Sequence, residues 1–130
     1  MSLPPDPAPA DPQRQKSERF GRLAEAACRV LLRVKGYRIL ASRLRTPMGE
    51  IDIVARRGRT LAVVEVKARA DWLAASEAVT ARQRGRLARA AHVFIAAHPQ
   101  YAGLTLRFDV MLVTPWAMPR HIPDAWRAQT

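Results

Sequence analysis

Glu50–Arg56 opens with alternating polar and apolar residues, and across a turn at Gly58 the run Thr60–Ala68 returns with Glu65 and Lys67 two apart. A period of two fits a pleated strand and cannot sit on a helix, whose faces repeat every 3.6 residues. The short turn between them makes the pair an antiparallel hairpin. Glu50 and Asp52 emerge together from one strand, and Glu65 and Lys67 from the other, while Ile51, Ile53, Val64 and Val66 are left to pack beneath a helix. Two registers are open, one setting Glu50 opposite Glu65 and the other setting Asp52 there. Either way three carboxylates and one ammonium share a small patch, because alternate strand positions are only ~6.6 Å apart.

Helical periodicity brackets this hairpin. Ser17 can cap a helix running to about Lys35, with Gly36 as its stop and Phe20, Leu23, Ala27, Val30, Leu31 and Val34 as its apolar stripe. Tyr37–Arg43 reads as a first strand. Thr80 caps a second helix reaching about Ala97 and ended by Pro99; Leu87, Ala91, Phe94 and Ile95 face the sheet, and Arg82, Arg86 and Arg89 fall together on the other side. A last strand spans Leu104–Thr114. The expected fold class is α/β, in the order α-β-β-β-α-β, with a mixed sheet flanked by helices. Residues 1–13 hold five of the ten prolines and read as a disordered arm, leaving one domain over 14–130. The stretch from Pro115 to Thr130 reads as a proline-punctuated tail, with Trp116 and Trp126, like Trp72, as packing anchors.

The charge narrows the partners. The chain has 22 basic and 11 acidic residues, a net +11. Asp6 and Asp11 precede the first basic residue, so residues 14–130, with 22 cations and nine acids, carry +13. Nineteen of the cations are arginine, which a biased genome explains as arginine over lysine but not as positive over negative. A field of that sign favours polyanions, because phosphate binding releases condensed counterions. Arg56, Arg57 and Arg59 at the hairpin turn, and Arg82, Arg84, Arg86 and Arg89 on the second helix, are candidate nucleic-acid-binding residues that position a backbone without reading bases. Gln83 could join them, although an ordinary solvated glutamine is the simpler reading. The lone Cys28 excludes an internal disulfide and a cysteine zinc site and fits a reducing compartment. His92, His98 and His121 lack metal-ligand spacing. Without a long apolar run or a secretory leader, the expectation is a cytoplasmic protein with no membrane partner.

Like charges directly opposed in a sheet repel, and Lys67 supplies a single compensating charge. A hard divalent ion would neutralise the remainder, so Asp52, Glu65 and Glu50 are the candidate metal ligands for Mg²⁺ or Mn²⁺. Such an ion polarises a phosphodiester and activates the attacking water, with Lys67 orienting or deprotonating that water. The plainer reading is a solvated strand face tied by cross-strand salt bridges. Glu25, at the edge of the first helix's stripe, could reach the rim of the site or simply pair with Arg22 or Arg29. Asp109, off the apolar face of the last strand, reads as structural and paired with an arginine.

Phe20-Gly21 with Ala24-Glu25, Gly36-Tyr37-Arg38-Ile39-Leu40, Gly49-Glu50-Ile51-Asp52-Ile53-Val54-Ala55, Val64-Glu65-Val66-Lys67 and Arg107-Phe108-Asp109-Val110 occur in this order. Together they resemble the YraN-like family of uncharacterised bacterial proteins, over roughly residues 17–114. That family is similar to archaeal Holliday-junction resolvases. The resemblance implies a restriction-endonuclease-like fold and a PD-(D/E)xK site, with Asp52 as metal-binding aspartate, Glu65 as second ligand, Lys67 as catalytic lysine and Glu25 as the helix-borne catalytic glutamate. Ile51 stands where the motif has proline. The implied activity is Mg²⁺-dependent endonucleolytic hydrolysis of DNA, more than RNA, branched junctions included. Resolvase-like enzymes often pair as homodimers to make two symmetric cuts, although the sequence marks no dimer surface. Two alternatives stand beside it: a non-catalytic nucleic-acid-binding module on the same fold, and a basic scaffold for an acidic protein.

Overall fold

The computed structural model describes residues 11–71 and 79–127. Helix α1 (Pro12–Val34) leads into strands β1 (Arg38–Thr46), β2 (Gly49–Arg57) and β3 (Thr60–Ala68). Helix α2 (Ala81–Ala97), a 3₁₀ turn (Pro99–Tyr101) and strands β4 (Thr105–Val113) and β5 (Arg120–Trp126) follow. The five strands lie in the order β1-β2-β3-β4-β5. Only β3 and β4 are parallel, and α2 makes the crossover that a parallel pair requires. The α/β class, the mixed sheet and the flanking helices are therefore as the sequence implies. Among the described residues, no helix is long and apolar enough to cross a membrane.

Each face of the sheet packs one helix. On one side Leu87, Ala90, Ala91 and Phe94 of α2 meet Ile51, Val54, Leu61, Val63, Phe108, Val110 and Leu112. On the other, Ala24, Cys28 and Leu32 of α1 meet Ile53, Ala55, Ala62, Val64, Met111 and Val113. Ile51 and Ile53, expected on one face, thus lie on opposite faces: β2 breaks its alternation at Asp52, the residue between them.

The α1 stripe is also displaced from expectation. Phe20 and Leu31 pack partly, but Leu23 (64% exposed), Val30 (59%) and Val34 (78%) face outward. The buried face instead runs through Ala24, Cys28 and Leu32, each four residues from the next. The helix also begins before Ser17, because Asp11 caps it through Oδ1, accepting from the Gln13 amide at 3.0 Å, and Pro12 fits its first position. Pro12 and Gln13 accordingly belong to the helix rather than to an arm; residues 1–10 lie outside the described residues. Gly36, at φ +91°, ends α1 as expected while the Tyr37 amide donates to the Leu32 carbonyl.

The tail supplies β5, a strand that the sequence reading lacks. Its period is masked by Pro123, by Asp124 at φ +52° and by a register break opposite Phe108–Val110. Trp126 is a packing anchor, stacked on Phe108 with ring centroids 5.3 Å apart. Trp116 is not: it is fully exposed at φ +67°. Trp72 lies outside the described residues.

Asp109 has the structural role expected of it. It is fully buried and accepts from Arg107 Nε and Nη2, both at 2.8 Å, from His121 Nε2 at 2.8 Å and from the Asp124 amide at 3.0 Å.

Candidate active site

The β2–β3 ladder pairs Arg57 with Thr60 and runs to Ile53 opposite Val64. Continued by one residue, that register sets Asp52 against Glu65, the second of the two open alternatives. Main-chain pairing stops there. The Asp52 side chain takes over, its Oδ2 accepting the Val66 amide at 2.8 Å, so a carboxylate replaces a backbone carbonyl and the strands part around it.

The parting opens a cavity of about 230 Å³ lined by Gly49, Glu50, Asp52, Glu65, Gln83, Arg86 and Leu87. Asp52 and Glu65 thus address one space, roofed by the first turns of α2. Lys67, two residues along β3 and 6% exposed, holds its Nζ 3.1 Å from Glu65 Oε1. Glu50 stands at the cavity wall with its side chain 44% exposed and 3.9 Å from Arg45. Glu25 approaches from α1, and its Oε2 accepts from Arg43 Nε at 2.8 Å. Of the two sequence alternatives for Glu25 the partner is a cation, but Arg43 rather than Arg22 or Arg29.

Burial pushes the Asp52 carboxyl up to about 7; the nearby Glu65 charge adds to this, the Val66 amide opposes it, and Glu25 adds a smaller push. Burial likewise pushes the Cys28 thiol up to about 12, with the charges of Asp52 and Glu25 adding to it, so this thiol is inert. The excess negative charge at Asp52 is what a bound cation would relieve. Among the described residues no three His, Cys, Asp or Glu side chains form a metal-ligand cluster. Asp52 and Glu65, two carboxylates lining one cavity, are a donor set that would suit Mg²⁺ or Mn²⁺, which take one or two carboxylates and complete their shell with water and substrate phosphate.

A stability prediction follows from Asp52. Its folded-state pKa lies above the ordinary 3.8, so the folded protein holds an extra proton between about pH 4 and 7 and loses stability as pH rises through that window. Asp52→Asn keeps an oxygen for the Val66 amide and removes the charge. Thermal unfolding in chelator should show it more stable than the parent at pH 8, by on the order of 2 kcal/mol, and nearly equal at pH 4. Mg²⁺ at pH 8 should raise the melting temperature of the parent and not of the variant.

The basic residues divide. Gln83 and Arg86 line the carboxylate cavity. Gln83 also completes a capping box with Thr80, its amide donating to Thr80 Oγ1 at 3.2 Å and its Oε1 accepting the Thr80 amide at 3.3 Å. Arg84 and Arg89 sit with Trp126 on another face of α2, and Arg82 is exposed at its start. Arg82, Arg86 and Arg89 are all exposed on α2, and Arg86 reaches toward Gly49. Arg56, Arg57 and Arg59 cluster at the hairpin tip, some five residues along β2 from Asp52. There Arg56 Nε donates to the Gly58 carbonyl, and Arg57 donates to the Lys35 carbonyl and covers the Tyr37 ring at 4.5 Å. Gly49 and Arg43 also stand at the site. Gly49 takes φ +131°, a backbone conformation that favours glycine, and Arg86 Cδ lies 3.5 Å from where a Cβ would stand, an ordinary contact. Arg43, at φ +50°, turns back to Glu25. The glycine in the Gly49-Glu50-Ile51-Asp52 motif was a usable signal; Arg43 had none.

Comparison with known proteins bears on the family. The profile of the uncharacterised protein family UPF0102 matches residues 24–113. The chain belongs to UPF0102. This bears out the YraN-like resemblance. A UPF0102 protein of Parvibaculum lavamentivorans is 57% identical over 109 residues, covering 84% of this chain and 82% of the relative. One from Bradyrhizobium diazoefficiens is 51% identical over 125 residues (96% and 94%), and one from Paramagnetospirillum magneticum 48% over 124 (92% and 96%). The UPF0102 match spans every strand from β1 to β4 and so includes Glu25, Asp52, Glu65 and Lys67.

Proposed function

We propose that this UPF0102 protein is a divalent-metal-dependent endonuclease that hydrolyses phosphodiester bonds in DNA, branched DNA included. The observation that carries the reading is the convergence of Asp52 and Glu65 on one cavity, with Lys67 fixed against Glu65 and Arg86 across from them. Asp52 and Glu65 would hold the metal, which when bound supplies Lewis-acid polarisation of the phosphate and a more acidic water. Lys67, buried and ion-paired, offers a fixed positive charge and a proton donor to the phosphorane oxygens. Arg86 and Gln83 bind and orient the phosphate, and the exposed arginines draw the polyanion in.

The test is a panel of branched, single-stranded and duplex DNA and RNA incubated with Mg²⁺, Mn²⁺ or chelator. Metal-dependent nicking supports the reading; its absence across the panel overturns it. In the same assay Lys67→Met should retain DNA binding while cleavage falls at least about a hundred-fold, the contribution ordinary for a positioned proton-transfer group.

A non-catalytic nucleic-acid-binding module is the second reading, favoured by the preformed carboxylates numbering two, with no three-ligand cluster among the described residues. That reading expects salt-sensitive binding indifferent to Mg²⁺ and to Lys67.

A further inference from the structure

Successive residues of β3 point to opposite faces, so Glu65 faces the carboxylate cavity while Val66 lines a groove on the α1 side. This groove, about 650 Å³, runs between the first half of α1 and the end of β3. Phe20, Val66, Ala68 and Pro115 give it an apolar lining, and Lys16 and Arg69 give it positive charge. It is tied to the carboxylate site twice: the Val66 amide donates to Asp52, and Glu25, which also lines the groove, is felt by Asp52.

Gly21 forms part of its wall. Glycine is among the poorest helix formers, and Gly21 stands within α1. Its φ is not in the left-handed region, and a Cβ placed on it would meet no atom within 4 Å. Neither backbone strain nor close packing calls for glycine here. What the missing side chain provides is space in the groove, so the position is read as serving an occupant.

We propose that the groove takes an unpaired nucleotide of a DNA strand, the base lying against Phe20 and the phosphates meeting Lys16 and Arg69. The volume is that of a small-molecule pocket and excludes a base-paired duplex. An aromatic ring beside cations is the combination that holds single strands without reading sequence. The consequence is selectivity for a duplex that carries a single-stranded end or flap beside the carboxylate site. The inference rests on the nucleic-acid reading above and goes beyond it in naming the substrate structure.

The experiment is fluorescence anisotropy in chelator, so that nothing is cut, comparing a blunt duplex with the same duplex bearing an oligothymidine tail. The parent should bind the tailed probe about ten-fold more tightly, the scale of one stacked base. Gly21→Leu, which fills the groove with a better helix former, should abolish that difference and leave blunt-duplex binding unchanged. If Gly21→Leu fails to fold, Lys16→Glu, at an exposed position, should remove the difference between the two probes while weakening blunt-duplex binding only by the general effect of lost positive charge. Equal affinity of the parent for both probes, or a tail preference that survives the groove substitution, overturns the proposal while leaving the nuclease reading intact. Binding of neither probe overturns both. Asp52→Asn should keep the tail preference, which separates groove from site.

Discussion

Asp52→Ala or Glu65→Ala should lower metal-dependent phosphodiester cleavage by about a thousand-fold or more, the several kcal/mol that a metal's charge stabilisation represents. The two variants should differ in stability. Glu65→Ala removes the anion beside a buried ammonium, leaving Lys67 without its 3.1 Å partner, and breaking a buried pair by taking one member is costly. Asp52→Ala instead removes an under-compensated carboxylate together with the acceptor for the Val66 amide, so a gain offsets a loss. Single-turnover cleavage measured beside thermal unfolding separates the effects: both variants inactive, with Glu65→Ala the less stable at pH 8. Cleavage at the parent's rate by either folded variant would end the catalytic assignment.

Asp109→Ala should destabilise the fold by about 3–5 kcal/mol, a fall in melting temperature of roughly 10–20 °C, with DNA affinity per folded molecule retained. Asp109 is fully buried and ties two strands at one carboxylate: Arg107 on its own β4, which also donates to the Tyr37 hydroxyl, and both His121 and the Asp124 amide on β5. Lys35, beyond the end of α1, joins the network through His121 Nδ1. Burial alone would raise the Asp109 pKa, but hydrogen bonds from His121 and Arg107, with the Asp124 amide and the Arg107 charge, hold it at about 2. A pKa below the ordinary 3.8 means that this stabilisation is present above about pH 4 and is lost as pH falls toward 2. Urea unfolding of parent and variant should therefore differ most at neutral pH and converge in strong acid. Equal stability at pH 7 would refute the role.

What the sequence made legible was the part dictated by short-range geometry. The hairpin and its charged pairs follow from period-two alternation before Gly58 and at the end of the returning strand, and the α2 start from Thr80. The α1 face did not follow, because Leu23, Val30 and Val34 outrank Ala24 and Cys28 in hydrophobicity, while the sheet buries the face carrying Ala24, Cys28 and Leu32. Nor did β5, where Pro123 and the turned backbone at Asp124 erase the alternation that long-range pairing with β4 sustains. At the candidate site, sequence placed Asp52, Glu65 and Lys67 on neighbouring strands. It did not reveal that Arg86 descends onto Gly49 while Arg57 turns away to Lys35 and Tyr37, since helix-over-sheet placement is a tertiary property.

The two outermost strands have a consequence for how copies of this chain coexist in solution. An unprotected sheet margin is a template for intermolecular strand addition and aggregation. Here β1 presents Arg38, Arg43 and Arg45, with a bulge near Leu40 and the kink at Arg43, while β5 presents Pro123, which has no amide to donate, and the kink at Asp124. Each margin of the sheet thus guards itself, one by repulsion and one by a missing donor, and crowded copies are kept from fusing into a continuous ribbon.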